Sequence, residues 1–198
     1  MRNLTLINHV QRLASMVSAK LELGHGNAAV VFHIDEDRVL KLTSDPANSA
    51  LLSRQASGGR PCTALPFVHE DLGVVAQCED HLYRGFLLER LRPAQTSQTL
   101  DFIASGESTR QSHDPAALDP AVDARCLRRI AAGAPWTLAP VLRRLAGDVA
   151  ANGWLLDRFD NGNVMERSDG TPVLSDLVYA FVPLRRPQDC RPGPRSPS

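Results

Sequence analysis

Two residues towards the end of the chain carry the most specific chemistry in it. Asn163 closes a loop and Asp176 ends a short apolar run thirteen positions later. Between them lie Val164–Arg167, the turn sequence Ser168-Asp169-Gly170, and Pro172–Ser175. Asp and Gly tolerate the positive φ of a tight turn, so the order predicts strand, turn, strand. A hairpin brings its open ends together, which sets Asn163 beside Asp176. An amide oxygen next to a carboxylate is a hard, oxygen-only pair, suited to Mg²⁺ held between the protein and a nucleotide's phosphates. An ordinary surface hairpin with a capping Asp would look the same, so the other parts of the chain decide between the two.

Leu21–Ile34 reads as strand, glycine-rich turn, strand, and Arg38–Leu42 as a third strand after the turn Asp35-Glu36-Asp37. Gly24, Gly26 and Ala29 are small enough for backbone N–H groups to approach phosphates closely. A strand follows this turn, which excludes a dinucleotide-binding turn, and the G-K-[ST] of a P-loop is absent. Lys41 stands among Val39, Leu40 and Leu42. It is either aimed at phosphate or snorkels out from an edge strand.

In type, spacing and order these parts resemble the protein-kinase and small-molecule-phosphotransferase superfamily. That superfamily has a glycine-rich loop, a lysine on the third strand, a metal-binding Asn in its catalytic loop, and the metal-binding Asp of D-F-G across a hairpin. The resemblance covers roughly Leu21 to Phe181. It implies a nucleotide loop of the form G-x-G-x-x-A-x-V built from Gly24, His25, Gly26, Asn27, Ala29 and Val31. It further implies Lys41 on the phosphates, Asn163 and Asp176 as metal ligands, and Glu89 to Leu91 as a hinge whose backbone meets adenine. ATP and Mg²⁺ are the implied cofactors.

The departures matter as much. Ala29 replaces the third glycine, Asp176-Leu177-Val178 replaces D-F-G, and no A-P-E follows. The helix expected after Lys41 has no acid between Asp45 and Glu70, so Lys41 must take its counter-charge from Asp176 or from phosphates. The acceptor-orienting acid of the family lies five positions before the Asn; here that position is Arg158. Asp157 and Asp160 flank it. Asp157-Arg158-Phe159 looks like the D-R-H of lipid kinases with one residue added, which makes Asp157 the first candidate for catalysis beside Lys41, Asp160 the second, and no base at all the third. Arg158 is then expected to lean towards phosphate charge.

Composition bounds the rest. The 198 residues suit one domain or one small two-part unit, with 43% hydrophobic and 22% charged residues. Lys+Arg and Asp+Glu balance at 22 each, so no net field favours nucleic acid or a membrane surface. No run is long and apolar enough for a membrane span, and the start lacks the apolar core of a secretory signal. Cys62, Cys78, Cys126 and Cys190 show no metal spacing and read as free thiols in a reducing compartment.

Helices are expected at Asn8–Lys20, at Ala47–Ala56 behind an Asp45 cap with Ala50, Leu51 and Leu52 inward, at Thr99–Ala104, at Asp123–Ala131 and at Leu138–Ala151. Strands are expected at Leu65–Val68, Leu72–Gln77 and Arg84–Leu88, and a loop at Gly106–Pro120. The expected fold is α+β: a two-lobed, protein-kinase-like unit over 1–182. Its small antiparallel sheet spans about 1–91 and its truncated helical lobe about 92–182, before a disordered Pro/Arg-rich tail at 183–198. So little helical platform resembles minimal kinases of bacteria, their phages and secreted effectors. That implies a cytoplasmic protein, or one delivered into a host cell, acting on Ser or Thr of a specific partner protein. The alternatives are a nucleotide-binding pseudokinase, a small-molecule kinase, a nucleotidyl transferase and a purely structural α+β protein.

Overall fold

The computed structural model describes residues 5–6, 22–25, 28–58, 62–78, 81–111 and 118–180. The expected helix at Asn8–Lys20 and the tail at 183–198 lie outside them. The architecture is α+β. Five antiparallel strands, β2 (Glu22–His25), β3 (Ala29–His33), β4 (Arg38–Thr43), β5 (Val68–Cys78) and β6 (His81–Glu89), form a sheet to which the two-residue β1 (Thr5–Leu6) adds at the edge; the order is β1-β5-β6-β4-β3-β2.

β4 is an inner strand, paired on one side to β3 and on the other to β6. Its side chains alternate between two apolar faces, as the strand period demands. Leu40 and Leu42 join Phe32, Val75, Tyr83 and Leu87 on one face, while Val39 joins Leu52, Val68, Phe86 and Leu88 on the other. Lys41 follows the period of Val39 and so points to the second face, where helix α1 (Pro46–Ser57) packs. Asp45 caps α1 by accepting from Asn48 N at 3.0 Å, with Pro46 in the first turn.

The second half is built on α2 (Ser97–Gln111), α3 (Pro120–Gly133) and α4 (Ala139–Asn152). Leu127, Ile130, Leu142, Leu145 and Val149 form its core, and Ala47 and Leu51 of α1 join the same cluster. α4 stops where Gly153 takes a left-handed φ of 68°. Four short strands follow as nested hairpins. β8 (Trp154–Leu156) pairs with β11 (Val178–Ala180), and inside them β9 (Val164–Glu166) pairs with β10 (Pro172–Leu174). β7 (Arg92–Pro93) edges β9. Gly170 makes the inner turn at φ 85°.

Three expectations about elements need correction. Leu65–Val68 and Leu72–Gln77 are not two strands: β5 runs unbroken from Val68 to Cys78, because bulges absorb the irregular stretch while it stays paired to β6. The loop expected at Gly106–Pro120 begins as helix, since α2 continues to Gln111. Gly106 is buried there against Phe159, and a Cβ on it would lie 2.5 Å from that ring; the glycine marks a close approach and not a break. On α1, Ala50 is exposed, and the inward positions are Ala47, Asn48, Leu51 and Leu52.

Candidate functional site

The nested hairpins decide what meets at their open end. Leu174 faces Val164, and one step out Ser175 N donates to Asn163 O at 2.9 Å. The outer pair closes with Asp157 N donating to Leu177 O at 2.9 Å. Asp157, Asn163 and the Asp176 segment are thereby held at one place by strand pairing alone. The loop between β8 and β9 has its own anchor. Phe159 is buried edge-on to Phe102 of α2, ring centroids 5.7 Å apart, and its N–H donates to Glu107 Oε2 at 3.1 Å.

The two candidate acids in this loop do different work. Asp160 is exposed, and its Oδ1 accepts from Gly162 N at 2.8 Å and Asn163 N at 3.0 Å. That is a local turn cap made with one carboxylate oxygen. Asp157 is half-buried; its Oδ1 accepts from Arg158 N at 2.7 Å. The Asn163 amide interacts with the Asp157 carboxylate and donates to Arg158 O at 2.9 Å. Arg158 is exposed.

Asp176 is tied across the molecule. Lys41 Nζ lies 3.0 Å from its Oδ2, and Asn48 Nδ2 donates to its Oδ1. Lys41 is on an inner strand and only 8% of its side chain is exposed, so it does not snorkel from an edge. A capping Asp on a surface hairpin would bond within its own turn; this one bonds to residues 128 and 135 positions away. Asp45 adds a second tie, its carboxylate receiving Ala180 N at 3.1 Å while it caps α1.

Charge is crowded here. Burial pushes the Asp157 carboxyl above its ordinary range; the Arg158 N–H opposes that, the Asp176 charge adds to it, and Asn163 and Asp160 contribute in opposite senses. Burial likewise raises Asp45, against the Asn48 and Ala180 N–H groups. The Asp157 and Asp45 carboxylates both feel the charge of Asp176, and carboxylate oxygens are ligands that a hard divalent cation prefers. Among the described residues no group of three or more His, Cys, Asp or Glu would hold an ion unaided, so a Mg²⁺ held by Asn163 and Asp176 would complete its shell with phosphate oxygens and water.

The other candidates are placed as follows. Gly24 stands within β2, opposite Val31, with open space where a Cβ would be, and His25 pairs with Val30. Gly26 and Asn27 lie outside the described residues. Val31 pairs with Lys41 and Ala29 with Thr43. At the expected hinge, Glu89 N donates to Phe67 O at 3.0 Å and Arg90 N to Asp37 O at 2.7 Å, so those two N–H groups are not available to a base. The Glu89 carboxylate is held by Arg167 through contacts of 2.6 and 2.9 Å. It ties β6 to the inner turn of the hairpins. A groove of about 390 Å³ beside Gln55, Phe67, Glu89 and Arg167 has its charges spent in this way. Cys62 and Cys126 are free thiols, the latter raised to about 11 by burial. No described helix is long and apolar enough to cross a membrane.

Asn48 was not foreseen. Its only signal in the sequence is its place three residues after the Asp45 cap, on the face that turns out to be buried. No family model matches the chain, and no curated protein matches its sequence.

Proposed function

We propose that this chain is an ATP- and Mg²⁺-dependent phosphotransferase of the protein-kinase-like kind. Its sheet and α1 would form one lobe, its helices and nested hairpins a reduced second lobe. The single observation that carries the reading is the Lys41–Asp176 contact of 3.0 Å, which joins an inner strand of the sheet to the end of the hairpin that holds Asn163 and Asp157. Phosphoryl transfer asks for positioning and charge neutralisation, and those residues supply both. Lys41 balances phosphate charge, and Asn163 and Asp176 hold the cation. Held there, the cation would supply neutralisation of charge on the phosphate oxygens. Asp157 orients the acceptor hydroxyl and receives its proton. Asp160 shapes the loop.

In this reading the acceptor is a Ser or Thr hydroxyl on a specific partner protein, with a small-molecule acceptor as the alternative. A pseudokinase that binds nucleotide and transfers nothing is the second reading, favoured by the exposed Arg158 at the usual position of the acid. The test is label transfer from γ-labelled ATP to a lysate, with Mg²⁺ and with EDTA. Metal-dependent labelling that Asp176→Ala abolishes is the expected result. Binding of Mg²⁺–ATP without any transfer selects the pseudokinase. Label from α- and not γ-labelled ATP selects nucleotidyl transfer, and no binding at all removes the nucleotide reading.

A further inference from the structure

The helix that packs beside Lys41 carries no carboxylate for it, yet it places one polar side chain in the same spot. Asn48 is 3% exposed and its Nδ2 donates to Asp176 Oδ1, while Lys41 sits on Oδ2 of the same carboxylate. The opposite orientation of the amide would set two acceptors against each other, so the nitrogen must face Asp176. That leaves Asn48 Oδ1 buried with no donor among the described residues. A buried carbonyl without a partner is unfavourable, and the nearby ammonium has three protons to give.

Resting on the phosphotransferase reading, we propose that Asn48 is the positioning residue for Lys41. In the arrangement seen here Asp176 is shared by Lys41 and the Asn48 amide nitrogen. When Asp176 turns to a cation and nucleotide, both lose their partner. The Asn48 amide then turns over, and its carbonyl oxygen receives the Lys41 ammonium and keeps it on the phosphates. Because the amide is neutral, Lys41 brings its whole positive charge to the nucleotide, which a helix carboxylate would cancel in part. The competing explanation is a single water on Oδ1. A cavity of about 20 Å³ lined by Asn48, Asp176, Leu51, Leu52, Leu145 and Leu177 has room for one.

The two accounts separate in Mg²⁺–ATP affinity, measured by calorimetry on the full chain for Lys41→Ala, Asn48→Ala, the double variant and Asn48→Asp. Asn48→Ala is expected to weaken binding about tenfold, and the double variant to bind no worse than Lys41→Ala, since both remove one interaction. Asn48→Asp sets a second carboxylate against Asp176 and cancels part of the Lys41 charge, so it should weaken binding at least as much as Asn48→Ala. Additive losses, or an Asn48→Asp that binds as the parent does, overturn the proposal in favour of a packing or water-binding role. Thermal midpoints without ligand accompany each variant, and Asn48→Leu replaces Asn48→Ala should the latter fail to melt cooperatively. If Lys41→Ala weakens binding while every Asn48 variant behaves like the parent, only this inference falls. A parent that does not bind ATP, or a Lys41→Ala that binds as the parent does, overturns the nucleotide reading and this inference together.

Discussion

Glu166 and Asp157 stand nine positions apart in the same nested hairpins, both drawn in from water, and the molecule treats them in opposite ways. Glu166 is fully buried. It accepts from Gln95 N at 3.1 Å, from Thr96 N at 3.0 Å and from the Thr96 hydroxyl, so that it holds the start of α2. Burial alone would raise its carboxyl; the bonds from Thr96, Thr99 and the two amides more than offset this and bring it down to about 2. Asp157 is raised by burial with fewer bonds to compensate and with Asp176 and Asp160 adding repulsion. A carboxylate whose bonding is complete is a joint. One left short of partners among like charges is held above its ordinary range, and such a group is a candidate for a functional site.

The sharpest way to break this comparison is at Asp176, the like charge beside Asp157. Asp176→Ala should lower transfer by about 10³-fold or more, the scale of losing a charge that works in the transition state, while the fold survives by circular dichroism. Retained transfer would mean that the cation is held elsewhere. Next is Asp157→Asn, which should lower turnover by about 10²–10³-fold with ATP affinity nearly unchanged. The same variant should raise the thermal midpoint at neutral pH. A carboxyl whose folded value is raised binds more protons folded than unfolded, so it costs stability once pH passes above the unfolded value. A lower midpoint would remove Asp157 from the comparison.

Glu166→Gln should act on stability alone. Losing a buried, multiply bonded carboxylate costs about 3 kcal/mol, read as a shifted denaturant midpoint. The pH dependence has the opposite sign to that of Asp157. The contribution of Glu166 is complete above about 4.5, its ordinary value, and drains away as pH falls towards about 2. The parent should therefore lose more stability than Glu166→Gln between those limits. The smallest effect belongs to Asp160→Asn. The amide oxygen still caps Gly162 and Asn163, so turnover should change by only about two- to threefold. A dead Asp160→Asn would give that residue the role assigned to Asp157.

Much of this is legible in the sequence. Asp-Gly turn chemistry between two short segments foretold the hairpin between Asn163 and Asp176, and a cap followed by proline foretold the start of α1. These are local signals, spent within a few residues. The polar composition around Gly106 reads as loop, whereas the contact with Phe159, fifty-three positions away, requires a residue without a side chain inside a continuing α2. β5 looks like two strands in the sequence because its bulges make sense only against β6.

By itself, then, the sequence determined which residues could do chemistry and the order in which the chain presents them. For the acid's place it left Asp157, Asp160 or no base at all, without separating the surroundings of the two, since exposure and hydrogen-bond partners depend on how β8 and β11 close over the loop. Tertiary structure alone put Lys41 on an inner strand, joined it to Asp176, and gave α1 an amide where a carboxylate was missed. The physical reason is distance along the chain. Backbone propensity and turn chemistry act over a few residues, while the Lys41–Asp176–Asn48 contacts join segments more than 120 positions apart and exist only after the sheet, α1 and the hairpins have packed.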